Sequence, residues 1–152
     1  MRAVAQRVSR AKVTVSGGII GEINRGLLLL ISAGQDDVPE DVAWMAKKIL
    51  ALRCFADGSG KMNLSVLDID GEILAVSQFT LHGECRKGNR PSFVKAMEPA
   101  TARRYFDDFV NQLKAGGARK VETGEFGAMM QVELINDGPV TLLLDSKKNS
   151  AI

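Results

Sequence analysis

The aliphatic run LLLLI, Leu27 to Ile31, lies between Gly26 and Gly34 and sets the first condition on the fold. It is far too short to cross a bilayer, and an apolar run of this length bounded by glycines reads as a β-strand buried on both faces. The next segment, PEDVAWMAKKILALR, supplies cover for it. Pro39 suits a first helical turn, Glu40 and Asp41 suit the positive end of the helix dipole, and Val42, Met45, Ala46, Ile49 and Leu50 fall on one face. The spacing therefore predicts a helix packed on a sheet.

With 152 residues, 45% hydrophobic and 25% charged, the chain suits one globular domain, residues 1–152, and no stretch of it reads as a linker or low-complexity tract. AVAQRVSRAKVTV reads as a first strand. MNLSVLDIDGEILAVSQFTL reads as a hairpin turning at Asp70-Gly71, its second strand running through Val76 into Phe79 and Leu81. PATARRYFDDFVNQLKAGG reads as a second helix from Pro99, with Tyr105, Phe106, Phe109, Val110 and Leu113 on one side and a stop at Gly116-Gly117. QVELI and VTLLLD read as closing strands, and the polar tail SKKNSAI, 146–152, as a frayed end. The expected class is mixed α/β: antiparallel-rich sheet layers packed with two main helices in β/α/β order.

The N-terminal MRAVAQRVSR lacks the apolar core of a signal peptide, and the expected location is the cytoplasm, with no membrane partner. Cys54 and Cys85 form no metal-ligand spacing and read as ordinary thiols. A formal net charge of +2 does not announce a nucleic-acid binder. Arg86, Lys87 and Arg90, however, stand in a glycine-containing loop that can meet phosphates, with a solvated surface as the alternative.

The usual catalytic groups are missing. GSGK, Gly58 to Lys61, lacks both the leading glycine and the Ser or Thr of a phosphate-binding loop, and reads as a turn. His82 is the single histidine, so neither a histidine-rich metal site nor any cofactor is expected, and a lone histidine at a strand end is ordinarily polar surface. Asp107 and Asp108 are helix neighbours that do not face one another. What remains is SQFTL, Ser77 to Leu81, where a buried strand ends in hydroxyls, an amide and a ring, a place from which backbone N–H groups can be offered to a reacting carbonyl.

One further stretch breaks a local rule. In NDGPVT, Asn136 to Thr141, an Asp-Gly hairpin signal is followed by Pro139, which has no N–H for the returning strand. On residue types alone this is either plain turn chemistry or a rigid element kept for a purpose.

SQFTL and NDGPVT, with QRV near the start, GKMN, RPSF and TGEFGAMMQV in the same order along the chain, resemble the D-aminoacyl-tRNA deacylases. The likeness spans nearly the whole chain, and its departures, ISAGQDD and the tail, touch no motif. The resemblance implies a cytosolic homodimer that hydrolyses the ester joining a D-amino acid to the terminal adenosine of tRNA and also clears glycine wrongly attached to tRNA. It implies a cis peptide at Gly138-Pro139 that reaches into the partner's site, and Arg7 as the brace of that loop. It places Phe126 and Met130 in the terminal-adenosine pocket, and Ser77, Gln78, Phe79 and Thr80 at the cleavage site. The N–H of Phe79 and its neighbour would serve the oxyanion, and Thr80 is the candidate nucleophile.

Rigid backbone suits such a task, because main-chain carbonyls fixed in space can accept from the substrate ammonium and collide with an L side chain, while glycine passes. Thr80 has no convincing base, since His82 reads as solvent-facing, and the substrate's own 2′-hydroxyl is the alternative source of assistance. Two other classes stay open. A non-catalytic RNA-binding module would explain the basic loop but needs no Gly-Pro element. A small hydrolase using Thr80 with His82 would share SQFTL and ignore tRNA.

Overall fold

The computed structural model describes residues 1–147. In chain order it contains β1 (Arg2–Val15), β2 (Gly18–Ile23), β3 (Gly26–Ser32), α1 (Pro39–Leu50), β4 (Phe55–Ala56), β5 (Met62–Leu64), β6 (Glu72–Ser77), a 3-10 turn (Phe79–His82), α2 (Pro99–Ala115), β7 (Lys120–Thr123) and β8 (Gln131–Asp145). β4 and β5 form a small separate ribbon, and the remaining strands make one six-stranded mixed sheet.

β1 is the spine. Along one edge it pairs antiparallel with β8, from Arg2↔Asp145 to Thr14↔Gln131. Its other edge is shared, residues 2–8 with β3 and 11–15 with β2, both antiparallel. β3, β6 and β7 are parallel neighbours. Each parallel step is made through one helix, α1 between β3 and β6 and α2 between β6 and β7. Successive right-handed crossovers in one direction place both helices on the same face.

The buried strand expected at Leu27–Ile31 is covered as a layered fold requires. Leu27, Leu29 and Ile31 join a core with Val42, Met45, Ile49, Phe106, Phe109 and Leu113 of the helices. Leu28 faces a second core with Val8, Ala11, Val13, Ile23, Leu74 and Val76, partly covered by Met130, Val132 and Leu134. Helices close one face and the sheet's own far half folds over the other. The mixed α/β class and both helices, with all the apolar positions read from the spacing, are therefore present. The helices lie outside the sheet, not between sheet layers, because β1 shifts register at Val13/Thr14 and again between Gln6 and Arg10, and such irregularities bend a strand enough to fold it over its neighbours.

Two expected hairpins do not form. Asp70-Gly71 is a turn, but Gly71 donates to Val66, β5 pairs with β4, and Glu72–Ser77 runs parallel inside the sheet. EILAVS is an uninterrupted buried run, which suits a parallel interior strand better than one arm of a half-exposed hairpin. MQVELI and VTLLLD are not opposed arms either: both pair with β1, and the chain merely loops out between them at 137–140. β6 also stops at Ser77, so SQFTL continues as a 3-10 turn and not as strand. β2 was not foreseen; Ser16 and Gly17, both at positive φ, make the tight turn that returns the chain along β1.

Both cysteines are free, GSGK is a turn organised by Asp57, and no described helix is long and apolar enough to cross a membrane. Of the tail expected to fray, Ser146 donates its N–H to Met1 and Lys147 pairs with Asp41, while 148–152 lie outside the described residues.

Candidate active site

The C-terminal ends of parallel strands are where α/β sheets offer ligand sites, and here three chain segments converge on that end. Ile31, Ser32 and Ala33 stand at the end of β3, Ser77, Gln78 and Phe79 at the end of β6, and Phe126 to Met130 beyond β7; with Met1, Met97, Ala102 and Phe106 they line a cavity of about 350 Å³. Ser77, Gln78, Phe79, Phe126 and Met130, from two separate stretches of the sequence, thus meet in one cavity. No acidic or basic side chain and no imidazole is among its lining residues.

At the mouth the 3-10 turn presents its first amides. Gln78 donates its N–H to Ile31 (2.8 Å), and Leu81 donates back to Gln78 (3.1 Å), which closes the turn. Among the described residues the N–H groups of Phe79 and Thr80 have no acceptor, as expected for the opening residues of a helical turn. Phe79 is 58% exposed and stacks edge-on against Phe93 at 5.1 Å. Thr80 is exposed beside it and accepts from the Gln78 side-chain amide. Phe126 is held from outside by the Arg103 guanidinium, 5.8 Å from its ring centre.

His82 overturns its expected placement. It is 8% exposed, tucked under the turn with Nδ1 at 2.8 Å from the Ser32 hydroxyl. In a 3-10 turn residues two apart point to different sides, so a buried His82 leaves Thr80 facing solvent, and the two cannot pair as base and nucleophile. Burial above all, with the Arg2 guanidinium and the amino terminus, lowers the imidazole pKa against the pull of Asp37 and Asp145. Ser32, which sequence reasoning passed over, lines the cavity and is the partner of that imidazole.

Arg7, Gly138 and Pro139 stand elsewhere. Four residues, 137–140, loop out where β1 contributes only Arg7, between the pairs Val8↔Asn136 and Gln6↔Thr141. Arg7 fills the gap: Nε donates to the Asp137 carbonyl (3.0 Å), Nη1 donates to the Cys54 carbonyl (2.8 Å), and the Asp137 carboxylate lies 3.4 Å from Nε. Asn136 ties the base of the loop, its side-chain amide donating to the carbonyls of Arg7 and Val140. Gly138 is at φ +119 and the Gly138-Pro139 bond is cis. Arg7 pairs with Leu27, five residues before Ser32 on β3, so the loop and the cavity of one chain are separated by about 16 Å along the strands.

Among the described residues no group of three or more His, Cys, Asp or Glu is placed to hold a metal ion. In the basic loop Arg86 is paired with Glu84, while Lys87 and Arg90 are exposed.

Known proteins resemble the chain over nearly its whole length. The chain is 60% identical to a D-aminoacyl-tRNA deacylase of Thermosipho africanus and 59% identical to one of Koribacter versatilis, each over 97% of this chain and 99% of the relative. Among solved structures it superposes on a c-Myc DNA Unwinding Element Binding Protein with a TM-score of 0.90 at 45% identity, covering 95% of this chain and 98% of that one. A structure described as a probable eukaryotic D-amino acid tRNA deacylase shares the fold at a TM-score of 0.81 and 17% identity, over 94% and 97%. The family model for D-Tyr-tRNA(Tyr) deacylase matches residues 4–145, and the chain belongs to that family.

Proposed function

We propose that this protein hydrolyses the ester between a D-amino acid and the 3′-terminal adenosine of tRNA, and clears glycyl-tRNA by the same site. The observation that carries the reading is the pairing of two unused amides, at Phe79 and Thr80, with a cavity that no acidic, basic or imidazole side chain lines. Such a site stabilises an oxyanion and orients an ester but supplies no side-chain base.

The chemistry follows from that limitation. Phe126 and Met130 hold the terminal adenosine, and Ser77 to Thr80 border the ester. Water adds to the carbonyl carbon, the resulting oxyanion takes the two N–H groups, and the bond to the ribose 3′ oxygen breaks. The proton lost by water reaches that oxygen through the adjacent 2′-hydroxyl of the substrate. Thr80 faces solvent without a base and acts as border, not nucleophile.

Selection between mirror images needs fixed atoms where an L side chain would go, and glycine has nothing to reject. Gly138 and Pro139 suit this role, but their own chain holds them far from its own cavity, so a second copy of the chain brings them to it, which makes the working form a homodimer. A cytoplasmic location fits the substrate. A purely RNA-binding module would leave the free amides and the braced loop without use. Incubation with D-aminoacyl-, glycyl- and L-aminoacyl-tRNA tests the reading: loss of the first two esters with the third spared is expected, and equal loss of D and L esters would refute it.

A further inference from the structure

The buried Ser32–His82 pair has no part in the chemistry above. It joins the end of β3 to the last residue of the turn that carries the Phe79 and Thr80 amides. We propose that His82, through Ser32, is the positioning residue that sets the direction of those two amides; this rests on their role as oxyanion donors.

Among the described residues three bonds tie the turn to β1 and β3, and they differ in kind. Gln78 N–H to Ile31 anchors its start and belongs to the backbone. Arg2 Nη1 donates to the Leu81 carbonyl at 3.0 Å from a partly exposed side chain. The Ser32–His82 bond joins two buried side chains, and because Ser32 lines the cavity it ties the end of the turn to the cavity side. A four-residue turn has little stiffness of its own. Losing its far anchor lets it rotate about Gln78, which swings the N–H vectors away from the carbonyl oxygen they must meet.

The surroundings are built for this ring. A β-carbon on Gly34 would fall 2.7 Å from His82 Nε2, so any larger residue there would displace the ring. Arg2 and the amino terminus oppose a positive charge on the ring, and Asp37 and Asp145 favour it. Asp37 is already engaged, accepting from the Met1 amino group and from Gly34 N–H, and does not bond the imidazole. The trio is thus no relay for Ser32, whose hydroxyl serves the turn.

The test uses His82→Leu, which keeps bulk and loses the bond, His82→Asn, whose amide nitrogen can stand in for Nδ1, Ser32→Ala, and the Ser32→Ala/His82→Leu double variant. Two readouts are taken: hydrogen exchange at the hydrogen-bonded Gln78, Leu81 and Gly83 amides of the turn, which needs no substrate, and single-turnover and steady-state hydrolysis of D-aminoacyl-tRNA. Positioning predicts faster exchange confined to the turn and a fall in kcat on the order of tenfold to a hundredfold with KM nearly constant. It also predicts recovery in His82→Asn, and a double variant no worse than either single one. Wild-type exchange and kcat in both Ser32→Ala and His82→Leu would overturn the inference, as would additive losses. Wild-type protein inactive on every ester would instead refute the proposed function, with the exchange result still reporting on the turn.

Discussion

The guanidinium of Arg7 lies against Gly138, in the space a β-carbon at that residue would occupy. Gly138 is therefore fixed twice over, by a positive φ that L side chains rarely adopt and by the arginine that braces its loop.

Gly138→Ala should push Arg7 out of its bonds to Asp137 and Cys54. A cost of about 1–3 kcal/mol is expected from the backbone conformation alone, read as a lower urea midpoint. Hydrolysis of D esters should fall more steeply than stability, because the loop loses its shape while most of both cores, lying along β3, β6 and the helices, keeps its packing. Arg7→Lys should resemble Gly138→Ala in activity, since a single ammonium cannot reach both carbonyls in the geometry of a guanidinium.

The proposal that a second chain supplies the loop also predicts complementation. Ala102→Trp should fill the cavity and abolish activity, and Gly138→Ala should impair the loop. Mixed, unfolded and refolded together, the two should yield heterodimers with one site built from an intact cavity and an intact loop. Recovered activity in the mixture supports the shared site; a mixture no more active than its components, with heterodimers present by mass, argues against it.

Asp41 links the first turn of α1 to the C-terminal segment. Burial opposes its charge but is outweighed by Lys147 Nζ at 2.7 Å and the Val38 N–H at 2.8 Å, with further help from Ser146 and the amino terminus, and its pKa falls to about 2. A lowered carboxylate pKa stabilises the fold at any pH above its ordinary value, and that contribution is lost as pH falls through the folded value. Stability should therefore decline between about pH 4 and pH 2, and Asp41→Asn should flatten that part of the curve while lowering the plateau above it. An unchanged curve in thermal melts across this range would remove Asp41 from the acid response.

How far the sequence could be read depended on whether a signal was local. The apolar stripes of α1 and α2 are local, and Val42 to Leu50 and Phe106 to Leu113 are buried as their spacing requires. Asp70-Gly71 and Asp137-Gly138 are equally local hairpin signals and misled twice, because the partner of a strand is a tertiary choice. Glu72–Ser77 found β3 and β7, and both halves of β8 found β1. Among the cavity residues, Ser77 to Phe79 stood out as a polar strand end, while Phe126 and Met130 were reached through the family resemblance, not through any spacing. Ser32 and the burial of His82 carried no signal, since neither the 3-10 turn nor the glycine at residue 34 that admits the ring stands out in the residue pattern.

Thr80→Ala should retain most activity, within a few-fold of wild type. Removing a true nucleophile costs on the order of a millionfold, so the two cases are easily separated by rate.

The most direct measurement compares D-aminoacyl-tRNA ending in adenosine with the same substrate ending in 2′-deoxyadenosine, at saturating enzyme and in single turnover. Slow cleavage of the deoxy substrate, with normal binding and no covalent aminoacyl-protein, is the result expected if main-chain amides and the substrate's own hydroxyl perform the reaction. Full activity on the deoxy substrate, or an aminoacyl ester trapped on Thr80, would contradict it.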